Sequence, residues 1–378
     1  MGTMEYRKFT DGSKVSLLGF GAMRFPQKSS NPADIDVPVA TKMVDYAIEH
    51  GVNYFDTAWM YHSGKSEAFI GKALSRHPRD SFYLATKLPP WEISRQSDLE
   101  RVFDEQLRRC GVDYFDYYLL HCLTPDTLPT FEKFGAYEFL HAQRKKGKLR
   151  HIGISSHADT GLLTSVVDKW QFDFAQIQLN YLDWKQLDAK GQYEALLARG
   201  IPIIVMEPVR GGVLATLCPE SIKILREAAP QRSIASWAMR FAALPGVLSV
   251  LSGMSTPEQL RDNIDTYTDF APLSPGEHQA LERAVETYLA KATIPCTACR
   301  YCMPCPVGIN IAESIGKYNL YKNTGDVGRF RIEYMQMGEG FQPDDCTGCG
   351  ACLESCPQQL DIPGWLKKIA QTHAKLGG

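Results

Sequence analysis

Two cysteine-rich segments near the end of the chain have the spacing of iron ligands. In each segment three cysteines are separated by two residues, and a fourth cysteine is followed directly by proline. This spacing is typical of the thiolates that hold a [4Fe–4S] cluster. We therefore predict two clusters and eight ligands, which are Cys296, Cys299, Cys302, Cys305, Cys346, Cys349, Cys352 and Cys356.

The cysteines before proline are expected to cross between the clusters. In two-cluster ferredoxins the proline-adjacent cysteine binds the cluster of the other motif. Cys356 would then complete the cluster of the first motif, and Cys305 would complete that of the second. Zinc ions with four cysteines each are the alternative, but the tight triplets and the Cys-Pro endings favour clusters.

Four residues of complementary chemistry stand at or just beyond the ends of apolar runs earlier in the chain. Asp56 and Tyr61 belong to the run at 52–57 and the residues after it, Lys87 to the run at 82–88, and His121 to the run at 114–121. A tyrosine can protonate a carbonyl oxygen, and a neighbouring ammonium lowers its pKa. This combination of side chains suits the reduction of a carbonyl by hydride from a cofactor.

Each of the four residues has a predicted role. We expect Tyr61 to be the general acid and Lys87 to tune its pKa. Asp56 would anchor Lys87 in its charged form, and His121 would orient the carbonyl by a hydrogen bond.

The elements that must position these residues alternate between short apolar runs and helical patterns. Eight runs, each followed by helical sequence, lie at 17–23, 52–57, 82–88, 114–121, 151–156, 174–180, 202–207 and 247–252. Strict alternation favours an α/β fold, the parallel (β/α)8 TIM barrel, whose chemistry sits at the carboxyl ends of the strands. An open doubly wound sheet is the alternative, but Gly19-Phe20-Gly21 does not complete the pattern G-x-G-x-x-G.

We predict two domains. Residues 1–290 would form the barrel domain. It would begin with a hairpin at 5–18, whose turn is at Asp11-Gly12. Residues 291–378 would form a mainly helical, ferredoxin-like domain around the two clusters, because helical patterns occur at 311–322, 330–337 and 365–376.

The barrel motifs resemble those of the aldo/keto reductase family over residues 5–290. The resemblance is carried by Asp56-Thr57-Ala58-Trp59-Met60-Tyr61, Ser66-Glu67, Thr86-Lys87, Leu120-His121 and Gly153-Ile154-Ser155-Ser156. With its tail, the chain is similar to the bacterial and archaeal branch of the family that ends in a 4Fe–4S ferredoxin-type domain. The resemblance implies an NADPH- or NADH-dependent reductase of aldehydes or ketones.

The resemblance also implies which residues bind the nucleotide. By matching position they are Ser155, Ser156 and Gln176 for the carboxamide, Met206 under the nicotinamide ring, Val209, Arg210, Gly211 and Gly212 along the pyrophosphate, and Gln259 and Asn263 near the adenine. Many family members have a tyrosine where this chain has Met206. The family's Lys-Ser pair for the 2′-phosphate is replaced by Gly253-Met254, so NADP and NAD both remain candidates.

Three tryptophans stand just past predicted strands. Trp59, Trp91 and Trp184 could line a flat-walled pocket for an aromatic or bulky carbonyl substrate. Packing of loops onto the barrel is an equally weighted alternative.

Three roles are open to the predicted cluster domain, residues 291–378. Hydride transfer moves two electrons together whereas a cluster passes one at a time, so the barrel chemistry does not itself explain the clusters. In the first, the barrel reduces a carbonyl by itself and the tail is structural or redox-sensing. In the second, the clusters take electrons from a ferredoxin-like partner and deliver them to a substrate or an added cofactor at the barrel mouth. In the third, the chain is an electron-transfer or docking subunit whose barrel senses nucleotide; the complete set of acid–base residues argues against it.

Composition limits the other partners. The net charge is −2, and the basic run at 144–150 suits a helix end, so we expect no nucleic-acid partner. No apolar run reaches the ~18–20 residues of a membrane span. Clustered cysteines suit a reducing, cytoplasmic setting.

Overall fold

The computed structural model describes residues 2–29, 31–291 and 293–377. Residues 1 and 378, the outer ends of the two predicted domains, lie outside the described residues. The chain divides into two compact units. The barrel unit comprises Met1–Pro208 and Ala238–Pro272, and the helical unit comprises Val209–Trp237 and Leu273–Gly378. The boundary at residue 290 stays a prediction, since the helical unit includes chain on both sides of it.

The barrel unit contains a closed barrel of eight parallel strands, as predicted. The order around the barrel is β10-β3-β4-β5-β6-β7-β8-β9, and β1 and β2 form a separate antiparallel hairpin. The strands are β1 Tyr6–Lys8, β2 Lys14–Ser16, β3 Leu18–Gly21, β4 Tyr54–Asp56, β5 Tyr83–Leu88, β6 Phe115–Leu123, β7 Leu149–Ser156, β8 Phe174–Gln178, β9 Ile203–Met206 and β10 Val247–Ser252.

Helices follow the strands in the expected alternation. They are α1 Val37–Glu49, α2 Ser66–Leu74, α3 Ser97–Cys110, α4 Leu128–Phe134, α5 Ala136–Lys145, α6 Thr160–Lys169, α7 Asp183–Gln186, α8 Ala189–Ala198, α9 Pro219–Ala228, α10 Ile234–Ala242, α11 Pro257–Tyr267, α12 Pro275–Leu289, α13 Ile311–Thr324, α14 Val327–Met335, α15 Ala351–Glu354 and α16 Ile362–Lys375. Short 3-10 turns occur at Arg79–Ser81, Pro90–Glu92, Arg210–Ala215 and Pro343–Asp345.

Burial and register position the site. All nine residues of β6 are buried, as expected for a parallel strand covered on both faces. Asp56 pairs in register with Ala85, and Lys87 pairs with Leu119. The carboxyl ends of β4, β5 and β6 therefore meet at one rim of the barrel. At the amino ends, Phe9 from the hairpin packs against Tyr117 and Phe174 in the core.

The helical unit packs around its own core. Ile309, Ile315, Phe330 and Ile369 are buried there, and six of the eight clustered cysteines pack against this core. Helices α13, α14 and α16 occupy the three segments predicted to be helical after the first motif. No helix in the described part of the chain is both long and apolar enough to cross a membrane.

Candidate active site and iron–sulfur ligands

Asp56, Tyr61 and Lys87 meet at the ends of β4 and β5. Lys87 Nζ donates to Asp56 Oδ1 at 2.6 Å, to the Thr57 carbonyl at 2.8 Å and to the Tyr61 hydroxyl at 3.4 Å. The side chains of Lys87 and Asp56 are 1% and 3% exposed. The ion pair is therefore shielded from both water and salt.

Hydrogen bonds fix the loop that carries Tyr61. Thr57 Oγ1 and Ser66 Oγ share a bond of 2.9 Å, and Ser66 Oγ donates to the Ala22 carbonyl at 2.8 Å. His62 has a left-handed φ of 52°, which turns the chain tightly after Tyr61. Both ends of the loop are thus tied to the barrel.

The direction of the pKa shift of Tyr61 differs from the sequence prediction. Burial raises the pKa of Tyr61 well above its ordinary value, and the carboxylates of Asp56 and Glu207 act in the same direction. The prediction of a lowered pKa was wrong because the phenol is 9% exposed, and burial disfavours the phenolate. Burial therefore favours the protonated phenol at Tyr61.

His121 lies at the same rim, near the end of β6. Its ring centroid is 6.4 Å from that of Tyr61 and 5.1 Å from that of Trp91. Burial lowers the pKa of His121 well below its ordinary value, and the charge of Lys87 adds to the effect. The imidazole is therefore neutral near pH 7 and can donate or accept a hydrogen bond without carrying charge.

A second charged pair near Tyr61 was not predicted. Arg24 Nη2 lies 4.0 Å from Glu207 Oε1. Glu207 raises the pKa of Tyr61 and Arg24 lowers it, so both charges act on the phenol. Glu207 follows β9 with a φ of 55°, and its carbonyl accepts a hydrogen bond from Asn180 at 3.0 Å. The loops that bring this pair together are far apart in sequence, which left no local signal.

The residues predicted to hold the carboxamide lie at neighbouring strand ends. Ser155 pairs in register with Gln176, and Gln176 Nε2 donates to Met206 Sδ at 3.6 Å. The Oε1 atom of Gln176 is buried and has no hydrogen-bond partner among the described residues. Buried amide oxygens normally accept a hydrogen bond, so this atom fits a ligand that brings an N–H group, such as a carboxamide.

The residues predicted near the adenine lie on α11 in the barrel unit. Asn263 Nδ2 donates to Ser252 Oγ at 2.7 Å. Gln259 Oε1 accepts from the Ser255 backbone at 2.7 Å. Both side chains are thus held beside the carboxyl end of β10.

The residues predicted along the pyrophosphate belong to the helical unit. Gly211 and Gly212 have φ values of 63° and 99°, a region that favours glycine. Val209 precedes them, and Arg210 Nη2 donates to the Pro295 carbonyl at 3.2 Å. The segment therefore makes a tight turn that keeps its backbone free of side chains at two successive positions.

The three tryptophans make separate contacts. Trp91 is 45% exposed and its ring meets His121. Trp59 lies under the Arg109 guanidinium at 3.6 Å, and Trp184 meets Phe241 edge-on at 5.4 Å. Of the three, Trp91 has the position expected of a substrate-pocket wall.

The structure brings cysteines of the two motifs close together, and crossed ligation in two groups stays a prediction. One cavity is lined by four of them: Cys296, Cys299, Cys302 and Cys356. In the other group, the thiols of Cys346, Cys349 and Cys305 act electrostatically on Cys352. Burial raises the pKa of Cys302 to about 12, with Cys296 and Cys356 acting in the same direction.

The described cysteines are not grouped around the centre of a single metal ion. Across residues 2–29, 31–291 and 293–377, no three His, Cys, Asp or Glu side chains converge as the ligands of one metal ion. A zinc ion needs all four sulfurs at about 2.3 Å from a single point. A cube of iron and sulfide is much larger, so its four thiolates stand further apart.

Both motifs share one backbone conformation. Ala298 and Gly348, each two residues after the first cysteine of their motif, have φ values of 52° and 68°. Arg300 and Gly350, each directly after the second cysteine, have φ values of 65° and 80°. The two motifs therefore fold as equivalent loops although their sequences differ at these positions.

Family models match both parts of the chain. The model of the Aldo/keto reductase family matches residues 17–286, and the model of the 4Fe-4S dicluster domain matches residues 295–360. L-galactose dehydrogenase of Arabidopsis thaliana is 28% identical over 293 residues, which are 69% of this chain and 87% of that protein. The uncharacterized oxidoreductase YqkF of Bacillus subtilis is 28% identical over 326 residues, covering 76% of this chain and 99% of that protein.

Solved structures share the barrel. An aldo-keto reductase from Bacillus halodurans, in its holo form, is 26% identical with a TM-score of 0.61 and covers 74% of this chain and 96% of its own. An aldo-keto reductase from Klebsiella pneumoniae, solved with NADPH, has a TM-score of 0.60 at 24% identity and covers 76% of this chain and 95% of its own.

Proposed function

Because the chain belongs to the aldo/keto reductase family of oxidoreductases and ends in a 4Fe-4S dicluster domain, we propose that it reduces an aldehyde or ketone with hydride from NADPH or NADH. The observation that carries the proposal is the buried contact of Lys87 with both Asp56 and Tyr61. A barrel that only sensed nucleotide would not need a desolvated ammonium beside a phenol, since burying such a charge is costly.

Tyr61 would donate its proton to the carbonyl oxygen as negative charge develops there. Burial keeps Tyr61 protonated until that moment, and Lys87, 3.4 Å away, would stabilise the phenolate that remains. Asp56 balances the charge of Lys87. The neutral imidazole of His121 would hydrogen-bond the same carbonyl oxygen and orient it.

Bound NADPH or NADH would supply the hydride. The buried Oε1 of Gln176 would accept from the carboxamide, with Ser155 and Ser156 beside it. Met206 would pack against the ring through its sulfur. The pyrophosphate would lie along Val209, Arg210, Gly211 and Gly212, and the adenine near Gln259 and Asn263. NADP and NAD both remain candidates, since the nearby Arg261 guanidinium is paired with Glu258 at 2.7 Å.

We propose two [4Fe–4S] clusters with crossed cysteine ligands in the helical unit. Their role is either structural or redox-sensing, or they exchange electrons with a ferredoxin-like partner. The exposure of Cys349 favours electron exchange as the second candidate function, because a cluster held by a surface thiolate is within reach of a soluble carrier. We propose a cytoplasmic location on the same chemical grounds as before, the stability of free thiolates under reducing conditions.

The substrate class is open to a directed screen. L-galactose dehydrogenase and 6-dehydroglucose reductase are among the named relatives, so oxidised sugars are the first compounds to test. Aromatic aldehydes are the second, because the exposed ring of Trp91 beside His121 offers a flat apolar wall.

The test uses protein purified anaerobically with its iron and sulfide measured. Tyr61→Phe should lower kcat/KM for carbonyl reduction by about 10²-fold or more, the usual contribution of a general acid, without weakening nucleotide binding measured by fluorescence. Tyr83→Phe, at the opposite end of β5, is the matched control. Full activity of Tyr61→Phe, or no oxidation of NADPH or NADH with any carbonyl, would contradict the proposal.

The second candidate function has its own measurement. Cys299→Ser and Cys349→Ser should leave NADPH-dependent turnover nearly intact if the clusters are structural. Cluster reduction that follows substrate turnover in anaerobic electron paramagnetic resonance would instead support electron exchange.

A further inference from the structure

We infer that Glu67 is a positioning residue for Lys87, a second buried carboxylate that holds the ammonium charged and fixes the backbone on both sides of it. The acid–base set of Asp56, Tyr61, Lys87 and His121 assigns Glu67 no role. The kinetic consequence of the inference rests on the proposed carbonyl reduction, whereas the charge it assigns to Lys87 does not.

Hydrogen bonds connect Glu67 to the chain around Lys87. The Glu67 side chain on α2 is fully buried. Its Oε1 atom accepts from Thr86 Oγ1 at 2.8 Å and from Gln106 Nε2 at 2.6 Å. The same Gln106 amide donates to the Lys87 carbonyl at 3.0 Å. Glu67 thus holds the residue before Lys87 directly and the carbonyl of Lys87 through one intermediary.

The orientation of the Gln106 amide is fixed by a further contact. The Tyr118 hydroxyl donates to Gln106 Oε1 at 2.5 Å. With its oxygen occupied as an acceptor, the amide must present its N–H groups to Glu67 and to the Lys87 carbonyl. The network therefore has a defined direction, from the Tyr118 hydroxyl through the Gln106 amide to the carboxylate of Glu67 and the carbonyl of Lys87.

The other carboxylate oxygen connects Glu67 to the loop that carries Tyr61. Glu67 Oε2 accepts from Arg109 Nη1 at 3.3 Å. The Arg109 guanidinium lies 3.6 Å from the centre of the Trp59 ring, a cation–π contact. Trp59 stands between Asp56 and Tyr61 in the chain. Glu67 is therefore bonded directly to the end of β5 and is linked to the loop after β4 through Arg109.

Close packing of α2 and α3 makes these contacts possible. A Cβ atom at Gly71 of α2 would lie 2.1 Å from the Cys110 carbonyl oxygen at the end of α3. Because glycine has no such atom, the two helices approach closely enough for Gln106 and Arg109 to reach Glu67.

The charges around Lys87 support the same role. Asp56 faces Lys87 from β4, Glu67 from α2, Tyr61 from the loop, and neutral His121 from β6. Burial lowers the pKa of Lys87, and the carboxylates of Asp56 and Glu67 oppose that effect.

The groups that face Glu67 complete the balance. Arg109 and Cys110 reach it from α3, and Tyr118 faces it from β6. The thiol and the phenol are neutral, because burial raises the pKa of both. Arg109 also bonds Glu105 at 2.9 Å, so its charge is shared between two carboxylates. Burial raises the pKa of Glu67, and the hydrogen bonds from Gln106 and Thr86 and the charge of Arg109 oppose that effect. Removing Glu67 therefore takes away one of the two negative charges that act on Lys87.

The test is the pH profile of kcat/KM for carbonyl reduction. In Glu67→Gln the ammonium loses an opposing charge, so Lys87 should deprotonate earlier and the alkaline limb should move to lower pH by about one unit, the lower end of the effect of a nearby charge. Glu67→Asp keeps the charge and should keep the limb in place, even if its rate falls.

Asp116→Asn is the matched control. Asp116 is another buried carboxylate, bonded to Arg79 at 2.6 Å and to Arg150 at 3.1 Å near the start of β6. Its loss should lower stability without moving the alkaline limb. The inference is overturned if the alkaline limb of the pH profile of Glu67→Gln coincides with that of the wild type while its loss of stability resembles that of Asp116→Asn. Glu67 would then be a structural residue only.

A second measurement does not need turnover. Lysine labelled with ¹³C at Cε allows the titration of Lys87 to be followed by NMR, with its signal assigned by its absence in Lys87→Met. The titration should occur at lower pH in Glu67→Gln than in the wild type. An unchanged titration overturns the inference whether or not any carbonyl is reduced, whereas absence of turnover with a shifted titration refutes only the proposed function.

Discussion

Replacing Asp56 by Asn tests the buried ion pair at the centre of the site. The substitution keeps the shape of the side chain and removes the negative charge 2.6 Å from Lys87 Nζ. Removing one partner of a buried pair costs about 3–5 kcal/mol. At 1.36 kcal/mol per pKa unit, that cost corresponds to a fall of roughly two to four units in the pKa of Lys87, which burial already lowers.

The consequence for stability has a definite sign. In folded Asp56→Asn, Lys87 loses its proton near neutrality, whereas in the unfolded chain it keeps the proton up to about pH 10.4. The unfolded state then binds one more proton than the native variant. Because Lys87 titrates alike in the two unfolded chains, the stability of the variant relative to the wild type rises with pH between the pKa of Lys87 in the folded variant and its higher pKa in the folded wild type. The slope should approach about 1.4 kcal/mol per pH unit.

Urea unfolding followed by tryptophan fluorescence at pH 7, 8 and 9 measures this difference. Asp116→Asn is the control, because both charged partners of Asp116 are arginines, and a guanidinium is not deprotonated in proteins. The free-energy cost of this substitution should therefore not depend on pH. In parallel, carbonyl reduction by Asp56→Asn should fall about 10²-fold at pH 8 and recover in part toward pH 6, where Lys87 regains its charge. A pH-independent stability difference would refute the charge assignment.

Three further substitutions test packing, backbone and ligation. Gly71→Ala places a Cβ atom within 2.1 Å of the Cys110 carbonyl oxygen and should lower the free energy of unfolding by about 3 kcal/mol or more. Its control is Gly276→Ala in α12, where a Cβ would meet no atom within 4 Å, and which should leave the free energy of unfolding unchanged. Gly348→Ala meets no atom within 4 Å but keeps a φ of 68°, so it should cost about 1 kcal/mol through the backbone alone and speed the loss of iron to a chelator. Cys305→Ser should remove about half of the iron and sulfide. If the ligands cross, it should leave the electron paramagnetic resonance signal of the cluster held by the first three cysteines unchanged. Loss of that signal would contradict crossed ligation.

The fold was predictable because its signals are local. The run predicted as a strand at 114–121 is β6, Phe115–Leu123, since a parallel strand buried on both faces reads as a continuous apolar run. Helix α12 likewise begins at a local signal, the capping box that Ser274 and Glu277 form at its start. The predicted helix at 330–337 instead spans Val327–Met335, because Asp326 caps it three residues earlier.

The pKa shifts in the site were less predictable, because the burial of a side chain depends on contacts from segments throughout the chain. Strand ends and residue types were enough to bring Asp56, Lys87 and Tyr61 together. They were not enough to give the direction of the pKa of Tyr61, which depends on how completely the loop is covered and on Glu207 from the end of β9. Nor could spacing show that Glu67 bonds Gln106, 39 residues away.

The barrel site and the cysteine loops both contain buried weak acids, but the positive charge that stabilises their ionised forms comes from different sources. In both, burial disfavours the charged form of a weak acid: it raises the pKa of Tyr61 well above its ordinary value and, in the iron-free chain, the pKa of Cys302 to about 12. The barrel carries its own compensating cation, Lys87. Among the residues that line the cavity of the first four cysteines, the one cationic side chain is Arg300. This is too little charge for four thiolates, so we expect bound iron to supply the positive charge. Because metal ligands must be deprotonated, loading the iron-free protein at pH 7 should release protons in proportion to the iron bound, which a weakly buffered titration measures. The barrel site contains its own cation, so it should bind nucleotide equally well before and after iron is loaded. If loading releases no protons, or if nucleotide binding depends on iron, the assignment of Lys87 and iron as the two sources of positive charge is contradicted.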